Sequence, residues 1–275
     1  MTLVVGKRSN LSKKILEKCD DCVLISSFEI ENNLDYILKY CKSGRVNIVL
    51  NNFQISISLN ENINFDDYLT KSILNTSRIL SFLINNNIII SSLIYTSSSS
   101  VYGNNKFCSE DDQVKPMNLQ GALKVANEEL IKRFCNEYKI NYTITRIFNM
   151  YGGDDNFSVI SKIKSSYLNN EVLNIINNGN AIRDYVHIDD VVKVYKNLLN
   201  KRDNIPKVLN IASGSGKRIF DILNVLSKNQ IHIDINNIER EEINASISDV
   251  SLLNQVVNTD DFTNVIDYLL KELKR

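Results

Sequence analysis

The chain has 275 residues, 43% hydrophobic and 23% charged, a globular balance that excludes disorder and disulfide-dependent miniproteins. Lys+Arg 32 offsets Asp+Glu 32, so no global field attracts nucleic acid or an anionic membrane. Glycine is scarce, at 9 residues against a usual ~7%, which excludes Gly-rich repeats and counts against a glycine-built phosphate loop.

Thr2–Val5 predicts a strand, Leu11–Lys18 a helix, and Cys22–Ser26 a second strand. Asn33–Tyr40 reads as helical and Val46–Leu50 as a strand. Asp66–Ile84 has helical spacing, with Leu69, Ile73, Leu80 and Leu83 expected on one side. Ile88–Thr96 predicts a strand, Leu119–Tyr138 a long helix and Tyr142–Phe148 a strand. Beyond Tyr151, helices are expected near Val159–Leu168, Asp189–Leu199, Ile219–Leu226 and Phe262–Leu273. Strand–helix alternation implies an α/β fold with a parallel sheet covered on both faces. Residues 1–150 fit a doubly wound sheet, completed by parts of 175–215, and 151–275 mainly a cap that does not fold independently.

Cys19, Cys22, Cys41, Cys108 and Cys135 follow no secretory leader, and no run of about 18 apolar residues predicts a membrane span. Free thiols in the cytoplasm are the expectation. Cys19 and Cys22 have CxxC spacing, but no second pair accompanies them, so they read as incidental thiols and no metal site is expected.

The turn after the first strand reads Gly6-Lys-Arg-Ser9-Asn-Leu-Ser12. A dinucleotide loop uses glycine at three points, for the turn, for pyrophosphate approach and for helix packing. Here Ser9 and Ser12 stand at two of them. A cofactor site is read at Gly6, Arg8, Ser9, Asn10 and Leu11. The second strand ends in Ser26 and Ser27 rather than an acidic residue. With Lys7 and Arg8 nearby, this favours NADP(H), with NAD(H) possible.

Ile94-Tyr-Thr-Ser-Ser98-Ser-Ser-Val-Tyr-Gly103 puts hydroxyls at a strand end. Here the sequence resembles the extended short-chain dehydrogenase/reductase family of nucleotide-sugar epimerases, dehydratases and reductases. The resemblance continues through Glu110…Pro116, Gln120-Gly121-Ala-Leu-Lys124 with Glu128, and Arg146-Ile-Phe-Asn149-Met-Tyr151-Gly152. It extends to Arg183-Asp184-Tyr-Val-His187-Ile-Asp189-Asp190, Leu209-Asn210-Ile-Ala-Ser-Gly214, and Arg240 with Ser248-Asp249.

The resemblance implies a Rossmann-type doubly wound sheet with a small C-terminal substrate-binding cap. It implies Ser98 and Lys124 as catalytic, Lys124 also on the nicotinamide ribose, and Ser98, Ser99, Asn149, Arg183 and Arg240 on a nucleoside-diphosphate sugar. Asp184, Asp189 and His187 read as structural, Tyr95, Tyr102 and Tyr151 as packing, with Tyr102 kept as a remote proton donor. The family's catalytic tyrosine position holds Gln120, which cannot ionise. Some dehydratases of the family carry Met there but use an S-T-D-K segment, where this chain has Ser97–Ser100. The expectation is reduction of a nucleoside-diphospho-4-keto-6-deoxy sugar for surface polysaccharide. The alternatives are 4-epimerisation and a catalytically impaired regulatory paralogue. A homodimer through helices near Asp66–Ile84 and Leu119–Tyr138 is expected by resemblance, with no nucleic acid polymer and no membrane as partner.

Overall fold

A computed structural model describes residues 1–51, 65–201 and 205–274. They form two compact units: Met1–Val101 with Pro116–Arg146 and Tyr195–Leu209, and Tyr102–Lys115 with Ile147–Val194 and Asn210–Arg275.

In chain order the first elements are β1 (Thr2–Val5), α1 (Asn10–Lys18), β2 (Cys22–Ile25), α2 (Ser27–Asn32) and β3 (Arg45–Leu50). Then come α3 (Phe65–Leu69), α4 (Asn75–Asn85), β4 (Ile89–Ser98), β5 (Phe107–Cys108), α5 (Leu119–Glu137) and β6 (Asn141–Ile147). β7 (Asn149–Tyr151), α6 (Val159–Asn169), β8 (Leu173–Ile176), β9 (Ile182–His187), α7 (Ile188–Asn200) and β10 (Val208–Ile211) follow. The last are β11 (Gly216–Arg218), α8 (Ile219–Lys228), β12 (Ile235–Ile238), β13 (Ala245–Ser248) and α9 (Val265–Leu273).

The main sheet is parallel, with strand order β10-β6-β4-β3-β1-β2. Chain direction across it reverses between β1 and β3, which lie side by side with Val5 opposite Leu50. This is a Rossmann-type doubly wound sheet, and its ligand crevice lies at the strand ends where the order reverses. Leu3, Ile48, Leu80, Leu93 and Ile144 are fully buried in its core. The near-continuous apolar runs of β1 and β3 are what two covered faces require.

The second unit has β11-β9-β13-β5, with β7 also pairing β9, and a two-stranded β12-β8 ribbon. Its separate core gathers Ile160, Ile163, Leu173, Ile222, Leu226 and Leu269. The short strands β5, β7, β9, β11 and β13 carry too little periodicity to be read from sequence.

Asn33–Tyr40 is helical as expected, in 3-10 form from Leu34. The expected end of β2 is corrected, because Ser26 is the N-cap of α2 rather than part of the strand. The helical stripe through Leu69, Ile73, Leu80 and Leu83 also breaks. A π-turn over Thr70–Leu74 joins α3 to α4. The wider turn shifts the phase. Leu69 is therefore exposed at 44%, while Ser72, Asn75 and Thr76 are buried.

Candidate active site

β1 delivers the chain into a tight turn at the reversal point. Gly6 has φ 108°, which a side chain would strain. Its N–H and that of Lys7 both donate to Ile25 O, and Ser9 N–H donates to Gly6 O. Ser9 is the N-cap of α1, its hydroxyl accepting from Ser12 N–H at 3.4 Å. Asn51, directly after β3, donates from Nδ2 to Ser9 Oγ at 2.9 Å and to Ser12 Oγ at 2.8 Å. Leu11 is fully buried, so its side chain offers nothing to a ligand. Its main-chain N–H belongs to the first helical turn, where N–H groups lack intrahelical acceptors. Lys7 and Arg8 are exposed.

At the end of β2, Ser26 is not a free hydroxyl. Its N–H and Oγ–H donate to Glu29 Oε2 at 2.6 and 2.8 Å, while its Oγ accepts from Glu29 N–H, a capping box. The Ser26 proton expected to meet a 2′-phosphate is thus held by a carboxylate. An acidic side chain stands where the sequence suggested only hydroxyls.

β4 and α5 build the next part of the site. Ser98, half-buried at the end of β4, accepts from Ser100 N–H at 3.2 Å. Its own proton meets no acceptor among the described residues. Asn118 caps α5 by accepting from Gly121 N–H at 2.8 Å. A Cβ on Gly121 would lie 2.9 Å from Ser100 O, so only glycine lets the helix start this close to the serine turn. Gln120, beside Gly121, is half-buried, and its carboxamide has no hydrogen bond among the described residues. Ser99 is half-buried in the serine turn.

Lys124, one turn further along α5, is 4% exposed, with Nζ donating to Thr96 O at 2.7 Å and 5.1 Å from the Tyr95 ring. Burial pushes its pKa down to about 8, with Glu128 pulling it up. Glu128 is 1% exposed. It accepts from Ser97 Oγ at 2.5 Å and from Arg146 at 3.1 Å (Nε) and 2.7 Å (Nη2). This buried fork fixes α5 to β4 and β6 beneath the lysine.

In the second unit, Asp184 is fully buried and accepts from Ser213 N–H and Oγ–H, Gly214 N–H and Ser248 N–H. Burial raises its pKa and these bonds oppose the rise. Asn149 Nδ2 donates to Asp184 O at 3.0 Å. Arg183 Nη2 pairs with Glu242 Oε2 at 3.0 Å, and Asn177 holds the other Glu242 oxygen at 3.1 Å. Arg240 is exposed, its main chain paired with Asn177. His187 packs against Tyr151 and Tyr268, each with ring centroids 5.2 Å apart. Gly152 has φ 93° and a Cβ there would meet His187 Nε2 at 2.4 Å, so the imidazole occupies the space a side chain would need. A cleft of about 270 Å³ in this unit, lined by Gly152, Gly153, Asp155, Lys164 and Tyr268 among others, touches the Asn149–Gly152 motif only at Gly152 and contains none of the catalytic, cofactor or substrate residues read from sequence.

The sequence profile of the NAD dependent epimerase/dehydratase family matches residues 29–212. The chain belongs to this family. It is 33% identical over 117 residues to Protein CapI of Staphylococcus aureus, covering 41% of this chain and 35% of that protein. It is 26% identical over 211 residues to the ADP-L-glycero-D-manno-heptose-6-epimerase of Brachyspira hyodysenteriae, covering 71% of this chain and 63% of that protein. The matches therefore span from about a third to under two thirds of these relatives. The crystal structure of UDP-glucuronic acid 4-epimerase from Bacillus cereus, in complex with UDP-glucuronic acid and NAD, superposes with a TM-score of 0.83 at 20% identity, covering 100% of this chain and 98% of that one.

Within this family frame, Ser98, Gln120 and Lys124 are brought to one corner of the first unit by β4 and the first turns of α5. Gly6, Ser9, Asn10 and Leu11 share the turn after β1, while Arg183 and Asn149 are both on or tied to β9. Tyr102 is removed as a proton donor. It is 2% exposed and its phenol donates to Asn210 Oδ1 at 2.7 Å. Asn51 and Glu242 escaped the sequence reading. Each lies 42 or 59 residues from the group it holds, and no local pattern marks such a partner. Among the described residues no group of three or more His, Cys, Asp or Glu can hold a metal, and no helix is long and apolar enough to cross a membrane.

Proposed function

We propose that the chain is a nucleotide-sugar oxidoreductase that reduces a nucleoside-diphospho-4-keto-6-deoxy sugar. The observation that carries this reading is the donor set at the end of β4. The Ser98 hydroxyl proton and the Lys124 ammonium are hydrogen donors, and Gln120 adds an amide donor but no base. Reduction of a ketone needs donors where negative charge develops on oxygen. Oxidation of an alcohol needs a base, which Gln120 is not. With its pKa lowered to about 8, Lys124 holds a proton at Nζ at neutral pH and gives it up more readily than an ordinary lysine.

The turn after β1 fits a dinucleotide pyrophosphate. Gly6 gives the backbone reversal, and Ser9 with the first-turn N–H groups of α1 gives donors at a helix N-terminus. A nicotinamide bound there would supply the hydride. The cofactor favoured here is NAD(H). Glu29 puts a carboxylate at the end of β2, suited to ribose hydroxyls and opposed to a 2′-phosphate, and leaves Ser27, Lys7 and Arg8 to argue for NADP(H). Asn149, Arg183 and Arg240 of the second unit are the substrate side, with Arg183 the guanidinium suited to a diphosphate. Two copies pair through α4 and α5 in this reading, and light scattering checks it.

A second reading, 4-epimerisation of a nucleoside-diphospho sugar, is supported by the likeness to the Bacillus cereus epimerase. Turnover assays separate the two, using NADH and NADPH with a panel of 4-keto sugars, and NAD with the 4-hydroxy sugars. Reduction by the native chain, falling as pH rises through about 8, supports the reductase. Interconversion of 4-hydroxy sugars without net cofactor change supports the epimerase. No turnover in the native chain, with recovery in Gln120→Tyr, defeats both and leaves a regulatory cofactor-binding protein.

A further inference from the structure

The serine-built turn after β1 contains a proton whose direction is fixed from outside the loop. A serine hydroxyl has one proton and two acceptor sites. Both acceptor sites of Ser9 are filled, by Ser12 N–H and by Asn51 Nδ2. Its proton is therefore left to point away from both, and no acceptor for it exists among the described residues. Asn51 has a second hydrogen on Ser12 Oγ at 2.8 Å, so its amide plane is fixed by two bonds. Its main chain is pinned as well, with Asn51 N–H donating to Val5 O at 2.9 Å across the β1–β3 pair.

Asn51 is completely buried, yet its Oδ1 has no partner. A buried amide oxygen without a donor is costly to keep. It stands at the point where the strand order reverses, the crevice where doubly wound sheets bind ligands. There it is a polar atom that the chain's own groups leave unsatisfied directly beneath the turn after β1. A glycine loop needs no such residue, because its backbone meets the phosphate without side chains.

We propose that Asn51 is a positioning residue for anion binding. It holds the Ser9 and Ser12 hydroxyls as acceptors, so that Ser9 donates its proton to a phosphate oxygen of a dinucleotide. Asn51 thereby compensates for the two missing glycines. This inference rests on the reading of the turn as a dinucleotide site.

The test is a double-substitution cycle on the full chain, with NAD⁺ and ADP binding measured calorimetrically and thermal unfolding recorded in parallel. Ser9→Ala and Asn51→Ala are each expected to weaken both ligands on the order of tenfold, the loss of one charge-assisted hydrogen bond. The double variant is expected to be no weaker than either single one. In a Ser9→Gly background, which has no hydroxyl to aim, Asn51→Ala should leave affinity unchanged. A merely structural asparagine would weaken binding equally in both backgrounds, and that result overturns the proposal. Ser9→Ala, at a half-buried cap, tests the same bond should Asn51→Ala fail to fold, and unchanged affinity there also overturns it. A native chain that binds neither NAD⁺ nor ADP defeats the dinucleotide reading itself. A native chain that binds both, with Asn51→Ala unaffected, defeats only the role of Asn51.

Discussion

The molecule contains two arginine–glutamate pairs, each with its arginine in a motif segment, that differ in physics. Arg146 and Glu128, in the first unit, are 4% and 1% exposed by side chain and joined in a fork. Arg183 and Glu242, in the second, are 20% and 18% exposed and joined through one bond. The first pair has no solvent to replace either partner, so it holds β4, α5 and β6 together and cannot release its guanidinium to a ligand. The second is partly open to solvent, so its carboxylate competes with any anion that reaches the guanidinium. A motif arginine therefore becomes a ligand-binding candidate only where its counter-ion can leave.

The largest expected effect breaks the buried pair. Glu128→Gln leaves Arg146 buried and uncompensated, and unfolding in urea should show a loss of roughly 3–5 kcal/mol. The same change removes the charge that raises the pKa of Lys124. The alkaline limb of any activity should therefore move to lower pH.

Next is Lys124 itself. Its folded pKa of about 8 lies below the ordinary lysine value of about 10.5. Between these values the unfolded chain binds the extra proton, so stability rises with pH across that window. Below about 8 the cost of burying the charge is fully present, and above about 10.5 it is gone. Relative to Lys124→Met, the native chain should gain up to about 3 kcal/mol across the window. Chemical denaturation of both proteins at pH 7 and pH 10.5 checks it, and an unchanged difference would mean the lysine is not desolvated.

Arg146→Lys keeps the charge but loses the planar fork. We expect a loss of about 1–3 kcal/mol, smaller than for Glu128→Gln. Equal losses would show that geometry, not charge, carries the pair.

The smallest stability effect belongs to the second unit. Glu242→Gln should change stability by no more than about 1 kcal/mol. It removes the carboxylate that competes for Arg183, so uridine diphosphate should bind several-fold tighter in a titration at low salt, with the gain shrinking as salt rises. Weaker binding would instead assign Glu242 to the ligand.

Much of this was legible along the chain. β1, α1, β3, β4, α5 and β6 follow their apolar periodicities, and the frame Pro116, Gly121, Lys124, Glu128 set the register that puts Gln120 at the start of α5. Gly6 announced a turn that needs positive φ. The residue types also fixed what Gln120 can never do, because a carboxamide carries no titratable proton.

What the chain could not announce were contacts made by direction rather than type. The π-turn at Thr70–Leu74 shifted a helical face that the 3.6-residue period placed elsewhere. Ser26 read as a donor until Glu29, three residues on, took both its polar hydrogens. Asn51 reached Ser9 across the β1–β3 pair, and Glu242 reached Arg183 from a distant segment. Periodicity encodes elements because burial depends on which face a residue occupies, a local property. A hydrogen bond depends on where two groups point once the sheet has brought them together. So the sequence determined the sheet, the motif corners and the absent acid. Tertiary structure alone decided which arginine is locked, which serine hydroxyl is filled as an acceptor, and which lysine is buried enough to yield its proton more readily.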